Sequence, residues 1–169
     1  MARVKPDSPA AQLAAFIAKF TPANATLIKA LRTQLRRRLP HAHELVYDNY
    51  NFFVIGYCPT ERPSDAVFSI AAHARGVTLC FLHGAKLPDP KKILCGSGNQ
   101  VRNIRLPDAA ILDHPDVESL IASAIALAPV PFDASARSRL IIRSISAKQR
   151  PRRLPPSALL KSKIVIPKS

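Results

Sequence analysis

Residues 66–82, AVFSIAAHARGVTLCFL, decide the fold, because they contain two short apolar runs separated by a tight connection. The runs 66–73 and 77–82 are rich in β-branched and aromatic residues, which favour strands. Ala74, Arg75 and Gly76 lie between the runs and fit a hairpin connection. The stretch therefore predicts two neighbouring antiparallel strands.

Two further runs of the same kind flank this hairpin, at residues 52–58 and 101–106. Residues 59–65 loosely join the first of them to the hairpin, and consecutive strands usually lie side by side. The sequence therefore predicts an antiparallel, four-stranded meander.

Three helices are expected around this meander. Ser8 and Pro9 begin the first, Thr21 and Pro22 begin the second, and the third begins near residues 113–115 and stops before Pro129. Helices that cover one face of a meander give an α+β fold. Apolar residues recur at helical spacing in each segment: Leu13, Phe16, Ile17 and Phe20; Leu27, Ile28, Leu31, Leu35 and Leu39; Val117, Leu120, Ile121 and Ile125.

The charge of the chain is concentrated in its C-terminal part. The chain has 25 Lys and Arg against 11 Asp and Glu, a net charge of +14, and ten of the basic residues follow residue 134 with no acidic residue among them. A flexible polycation of this kind binds phosphate backbones without base specificity. Such a tail predicts a non-specific nucleic acid or another acidic partner, contacted by Arg143, Lys148, Arg150, Arg152 and Arg153.

A structural alternative for the tail stays open. Residues 140–145 could form an edge strand that docks on the domain, while 148–156 is extended and its charges remain solvated. The tail has no aromatic residue after Phe132, which argues against stacking on single-stranded bases.

The cysteine residues indicate the redox environment of the chain, and the hydropathy of its apolar stretches indicates whether it crosses a membrane. Cys58, Cys80 and Cys95 are odd in number and match neither a CxxC redox motif nor a zinc knuckle, which favours a reducing, cytoplasmic environment. The longest uncharged apolar stretch, 120–132, is interrupted by two prolines and is too short to predict a membrane span. We expect no membrane partner, and the oligomeric state stays open.

The segment GAKLPDP at 84–90, followed by GSG at 96–98 and VRNIRL at 101–106, resembles the YdhG-like domain family of uncharacterised bacterial domains. The helix before Glu44 and the Ala71-Ala72-His73 run also resemble that family, over roughly residues 20–128. The resemblance implies a frataxin-like α+β fold. It divides the chain into an N-terminal helix at 1–21, a YdhG-like domain at 22–132 and a basic, partly flexible tail at 133–169.

One branch of that family is described as an intracellular iron chaperone, so the resemblance also implies iron binding as an alternative function. The mildly basic domain departs from an acidic, frataxin-type iron surface. The best metal candidates are His41, His43, Glu44 and Asp48, because imidazole and carboxylate groups in a short span can share an ion. The alternative is a solvated turn whose carboxylates offset the arginine cluster at 36–38.

A glycine loop gives a second candidate site. Gly96, Ser97 and Gly98 could present backbone N–H groups to an anion, with Arg102 and Arg105 supplying charge. The alternative is that the glycines only turn the chain into the next strand.

No nucleophile–base motif is present, and His73 and His83 are expected at opposite ends of one strand. We therefore expect no enzyme activity and no cofactor other than iron. Two hypotheses remain: a non-catalytic binding protein whose basic tail engages polyanions, and a frataxin-like iron carrier. The first predicts salt-sensitive binding that disappears when the chain is truncated after Phe132.

Overall fold

A computed structural model describes residues 8–155, which form a six-stranded sheet and three α-helices. The helices are α1 (Pro9–Ala18), α2 (Pro22–Arg38) and α3 (Pro115–Ala126). The strands are β1 (His43–Asp48), β2 (Phe53–Cys58), β3 (Phe68–His73), β4 (Gly76–Phe81), β5 (Arg102–Leu106) and β6 (Leu140–Ile145). The chain therefore has the mixed α+β character that its sequence predicts.

The strand order is β5-β4-β3-β2-β1-β6. Strands β1 to β5 form an antiparallel meander, and β6 returns from the C-terminal part to pair with β1 in parallel. The register between β1 and β6 shifts after Val46, which leaves Arg143 as the extra residue of a bulge. All four predicted strands are confirmed, and so is the edge strand at 140–145.

Two parts of the predicted sheet are wrong. The sheet has six strands rather than four, and one of its pairings is parallel. The missing strand is β1, because residues 41–48 were expected to be a solvated turn with a metal site as the alternative. Instead Glu44, Val46 and Asp48 alternate along a buried strand, where the two carboxylates find basic partners from other elements.

Helix starts follow the sequence signals. Ser8 Oγ accepts a hydrogen bond from Ala11 N at 3.2 Å, and Thr21 Oγ1 accepts one from Asn24 N at 3.3 Å.

The apolar stripes of the helices pack on one face of the sheet and form a single core with its alternate residues: Val46; Phe53, Ile55 and Tyr57; Phe68, Ile70 and Ala72; Val77, Leu79 and Phe81; Ile104 and Leu106. Leu140 and Ile142 of β6 also pack against this core.

Within residues 8–155, no helix is both long and apolar enough to cross a bilayer.

Candidate functional site

A concave surface that combines arginine and aromatic side chains lies at the end of the sheet where β1 meets β2. Three segments form it: the turn at 49–52, which carries Tyr50 and Phe52 and is called the aromatic turn below; the β3–β4 turn; and residues 146–155, the docked segment. The cleft has a volume of about 360 Å³, within the range of small-ligand sites. It is lined by Asn51, Phe52, His73, Ala74, Arg75, Arg150, Pro151, Arg153, Leu154 and Pro155.

The charge of this cleft is one-sided. Arg75, Arg150 and Arg153 are exposed, and no Asp or Glu is found among the described residues that line it. Arg105 reinforces the same side, since its Nη2 donates to the carbonyl oxygen of Arg75 at 2.7 Å. A concave surface with one sign of charge focuses the field and attracts counter-ions. We call this surface the basic cleft.

His73 forms part of the wall of the basic cleft. Its ring meets Phe52 edge to face, with centroids 5.5 Å apart, and its Nδ1 accepts a hydrogen bond from Arg75 N at 3.0 Å. Partial burial, followed by the charges of Arg105 and Arg75, lowers the pKa of His73 below its ordinary value. The imidazole is therefore neutral at pH 7, and the positive charge of the cleft comes from arginines.

The docked segment is held in place through the end of β1. Ser146 N and Gln149 Nε2 both donate to the carbonyl oxygen of Asp48, at 2.9 and 2.8 Å, and Arg150 N donates to Tyr50 O at 2.9 Å. Arg153 donates through Nε to Lys19 O at 3.2 Å, at the carboxyl end of α1. These bonds hold Arg150 and Arg153 beside the aromatic turn.

A buried ion pair anchors the same segment. Arg152 Nη2 lies 2.8 Å from Asp48 Oδ1, with the Arg152 side chain 2% exposed and that of Asp48 fully buried. Lys19 Nζ contacts the other carboxylate oxygen at 2.7 Å. Burial alone would raise the pKa of Asp48, but hydrogen bonds from Lys19, Arg152 and Gln149 outweigh it and hold that pKa below its ordinary value.

Arg152 has further contacts and two unused donors. Its Nη2 also donates to Asn49 O at 2.6 Å, and the guanidinium lies 6.0 Å from the ring centre of Phe20. Its Nε and Nη1 are buried without a hydrogen-bond partner among residues 8–155. Arg152 therefore attaches the docked segment to the domain.

The five tail residues predicted to bind polyanions thus differ in their location and in their exposure. Arg150 and Arg153 line the basic cleft, whereas Arg152 is buried and has no surface to offer a polyanion, so its predicted role is corrected. Arg143 is exposed on β6, and Lys148 is exposed on the docked segment. Of the other five basic tail residues, Arg137 and Arg139 are exposed before and next to β6, and Lys161, Lys163 and Lys168 lie outside the described part of the chain.

The predicted glycine-loop site is not assembled as a unit. Arg102 Nη1 donates to the carbonyl oxygens of Gly98 and Val101, at 2.5 and 2.9 Å, so it binds its own loop. Arg105 lies on the opposite face of β5, beside Arg75, and belongs with the basic cleft. Gly96 has a positive φ of 124° that suits glycine, while Ser97 and Gly98 are exposed. The loop geometry matches the alternative, in which the glycines turn the chain.

The four metal candidates are likewise separated. His41 Nδ1 contacts Ala136 O at 3.0 Å, and His43 Nδ1 accepts from Arg139 N at 3.2 Å on the opposite face of β1 from Glu44. In the part of the chain that the structure describes, no group of three or more His, Cys, Asp or Glu residues is placed to hold a metal ion.

Glu44 has its own buried network on the helix-covered side of the sheet. Arg32 binds both carboxylate oxygens at 2.9 Å, and the Tyr57 hydroxyl donates to Oε2 at 3.2 Å. Burial, and then the charge of Glu44, raise the pKa of Tyr57 well above its ordinary value, so the hydroxyl remains a donor. Arg36 adds a contact of 3.7 Å, so Glu44 offsets one arginine of the cluster at 36–38, whereas Arg38 pairs with Asp113 and Glu118.

Sequence reasoning missed the aromatic turn and Arg75 as site residues. The available signal was the Asn-Tyr-Asn-Phe sequence at 49–52, which puts two aromatic residues next to a strand that was otherwise easy to recognise. Their proximity to the tail arginines depends on the parallel β1–β6 pairing, which no local pattern reveals.

No protein-family model, curated protein or solved structure matches this chain. The resemblance to YdhG-like domains therefore stays a prediction.

Proposed function

We propose that this chain is a non-catalytic binding protein that holds polyanions in the basic cleft. The observation that carries the proposal is the convergence of Arg75, Arg150 and Arg153 on one cleft, with no carboxylate among its described lining residues. Arg75 forms its hydrogen bonds within residues 8–155 through its backbone N and O, so its exposed guanidinium is available to a phosphate or sulfate group.

The arrangement favours an extended anion over a single ion. Arg75 lies on the β3–β4 turn at one side of the cleft, while Arg150 and Arg153 lie on the docked segment, so the charges border the cleft on two sides. Lys148 and the basic residues beyond 155 add charge along the chain. Affinity of this kind comes mainly from counterion release, so it falls steeply with salt.

Iron carriage is the second candidate, and the geometry favours it less. Iron bound by Glu44 would have to displace Arg32, and iron bound by Asp48 would have to displace Lys19 and Arg152. Replacing either basic partner with a cation of higher charge leaves the arginine or lysine without its counter-ion.

The test is the salt dependence of binding by the full chain and by the double variant Arg75→Gln/Arg150→Gln. Fluorescence anisotropy with labelled duplex DNA, single-stranded DNA and heparin gives the affinity at several salt concentrations. We expect the variant to bind all three at least about tenfold more weakly, and its log–log salt slope to fall by about 2.

The matched control is Arg37→Gln, which removes one positive charge from the exposed surface of α2. We expect it to bind almost as tightly as the unchanged chain. No binding to any of the three probes at low salt would refute the proposed function. Equal losses per charge in the control and the cleft variant would show that net charge, rather than the cleft, is responsible.

A further inference from the structure

The aromatic turn exposes two rings beside the basic cleft. Tyr50 and Phe52 are 49% and 43% exposed, although large apolar residues are more often buried. The neighbouring Phe53 is completely buried in that core. The Phe53 ring thus packs in the core, whereas the Tyr50 and Phe52 rings face solvent.

Hydrogen bonds hold the backbone of the turn that carries these rings. Asn49 N donates to Phe52 O at 3.0 Å and closes the turn, and the Asn49 side chain accepts from Ser144 Oγ at 2.6 Å. Arg150 N binds Tyr50 O, and Arg152 binds Asn49 O, so the docked segment fixes the other side. A ligand that stacks on these rings therefore meets a turn whose backbone is already ordered, which lowers the entropy cost of binding.

Cations accompany each ring. The Arg150 guanidinium lies 5.7 Å from the ring centre of Tyr50, and Phe52 shares the wall of the cleft with His73 and Arg75. Aromatic faces that alternate with arginines are the pattern by which proteins hold single-stranded nucleic acid, whose bases stack while its phosphates meet the cations. Duplex DNA and sulfated sugars carry similar negative charges, but they have no unstacked aromatic base that could lie on these rings.

We propose that the polyanion recognised by the basic cleft is single-stranded nucleic acid, with bases stacked on Phe52 and Tyr50 and phosphates on Arg75 and Arg150. This inference rests on the proposed function and specifies its ligand. It also reverses the expectation drawn from the aromatic-free tail, since the fold brings the aromatic residues of the β1–β2 connection to the tail arginines.

The experiment compares two probes of equal length and charge: a single-stranded oligothymidylate and an oligonucleotide with abasic positions in place of its bases. Anisotropy titrations use the full chain at one moderate salt concentration. We expect tighter binding of the base-containing strand by roughly fivefold to a hundredfold for each stacked base. The salt slopes for the two probes should agree, because the phosphates are the same.

The variants Phe52→Leu and Tyr50→Leu should reduce this preference for the base-containing strand, because each removes one of the two stacking rings. The control Leu127→Ala, at an exposed apolar position after α3, should keep the preference. Equal affinity of the unchanged chain for both oligonucleotides would overturn the inference while leaving polyanion binding intact. Failure to bind any polyanion would overturn the proposed function as well, and the comparison on the unchanged chain needs no variant to fold.

Discussion

Asp48 shows how one residue can connect two distant parts of this chain. Its carboxylate is fully buried, yet Lys19 from α1 and Arg152 from the docked segment contact its two oxygens. Its backbone carbonyl accepts from Ser146 and Gln149. Removing one partner from such a buried pair costs more than the pair itself contributes, because the remaining charge loses its compensation.

We expect Asp48→Asn to lower the free energy of unfolding by about 3–5 kcal/mol at pH 7, since Arg152 would then be a buried cation without a counter-ion. The pKa of Asp48 is lower in the folded chain than in the unfolded one. Its contribution is therefore fully present above about pH 5 and is lost as pH falls through the folded pKa, below the ordinary 3.8.

Urea unfolding between neutral and acidic pH measures both effects. The difference between Asp48→Asn and the unchanged chain should shrink as pH falls through that range. The matched control is Glu61→Gln, which breaks the exposed pair with Arg139 and should cost less than about 1 kcal/mol. A loss for Asp48→Asn no larger than that of the control would show that the buried pair does not hold the fold.

At the scale of elements, β1 shows what the sequence reveals and what it hides. Strands β2 to β5 carry β-branched and aromatic residues in short runs, so a local pattern identifies them. In β1 the residues that face the helices are Glu44, Val46 and Asp48, all of them buried, so two of the three side chains on that face are charged. Only their partners explain this pattern: Arg32 lies 12 residues from Glu44, and Arg152 lies 104 residues from Asp48.

The same dependence on distant contacts hid the candidate site. Phe52 and Arg75 come from two different turns and Arg150 from the docked segment, and these three segments share no sequence motif. The composition of the tail reveals its net charge. It does not reveal that Arg152 is buried while its near neighbours Arg150 and Arg153 are exposed.

Position in the elements also sets the reactivity of the three cysteines. Cys58 is buried in β2, where burial and then the charge of Asp65 raise its pKa to about 12. Burial also raises the pKa of Cys80 in β4, while Cys95 is exposed in the loop before β5. Because the thiolate is the reactive form, we expect only Cys95 to react rapidly with a thiol reagent at neutral pH.

Counting reactive thiols with a chromogenic disulfide checks this expectation. The native chain should show one fast thiol, and the chain in denaturant should show three. Cys95→Ser removes the fast reaction and serves as the control. A fast reaction that persists in Cys95→Ser would mean that the sheet opens readily at β2 or β4.

For the whole molecule, the C-terminal part belongs to the fold as well as to the charge distribution. Strand β6 covers the edge of β1, and its Leu140 and Ile142 pack on the core. The docked segment supplies Arg152 to Asp48. A chain that ends at residue 132 would lose these contacts together, so its failure to bind a polyanion would not by itself locate the binding site.

We therefore predict different stabilities for two shortened chains. Residues 1–132 should melt more than about 10 °C below the full chain, because β1 becomes an open edge and Asp48 loses Arg152. Residues 1–155 keep β6 and the docked segment, so they should melt within a few degrees of the full chain. They also keep the basic cleft, so they should still bind single-stranded DNA if the affinity resides in the cleft. Differential scanning calorimetry and anisotropy on the same samples provide the comparison. If residues 1–132 melted at the same temperature as residues 1–155, the stability of the domain would not depend on the tail. If residues 1–155 were stable but did not bind single-stranded DNA, the affinity would belong to the basic residues after Pro155.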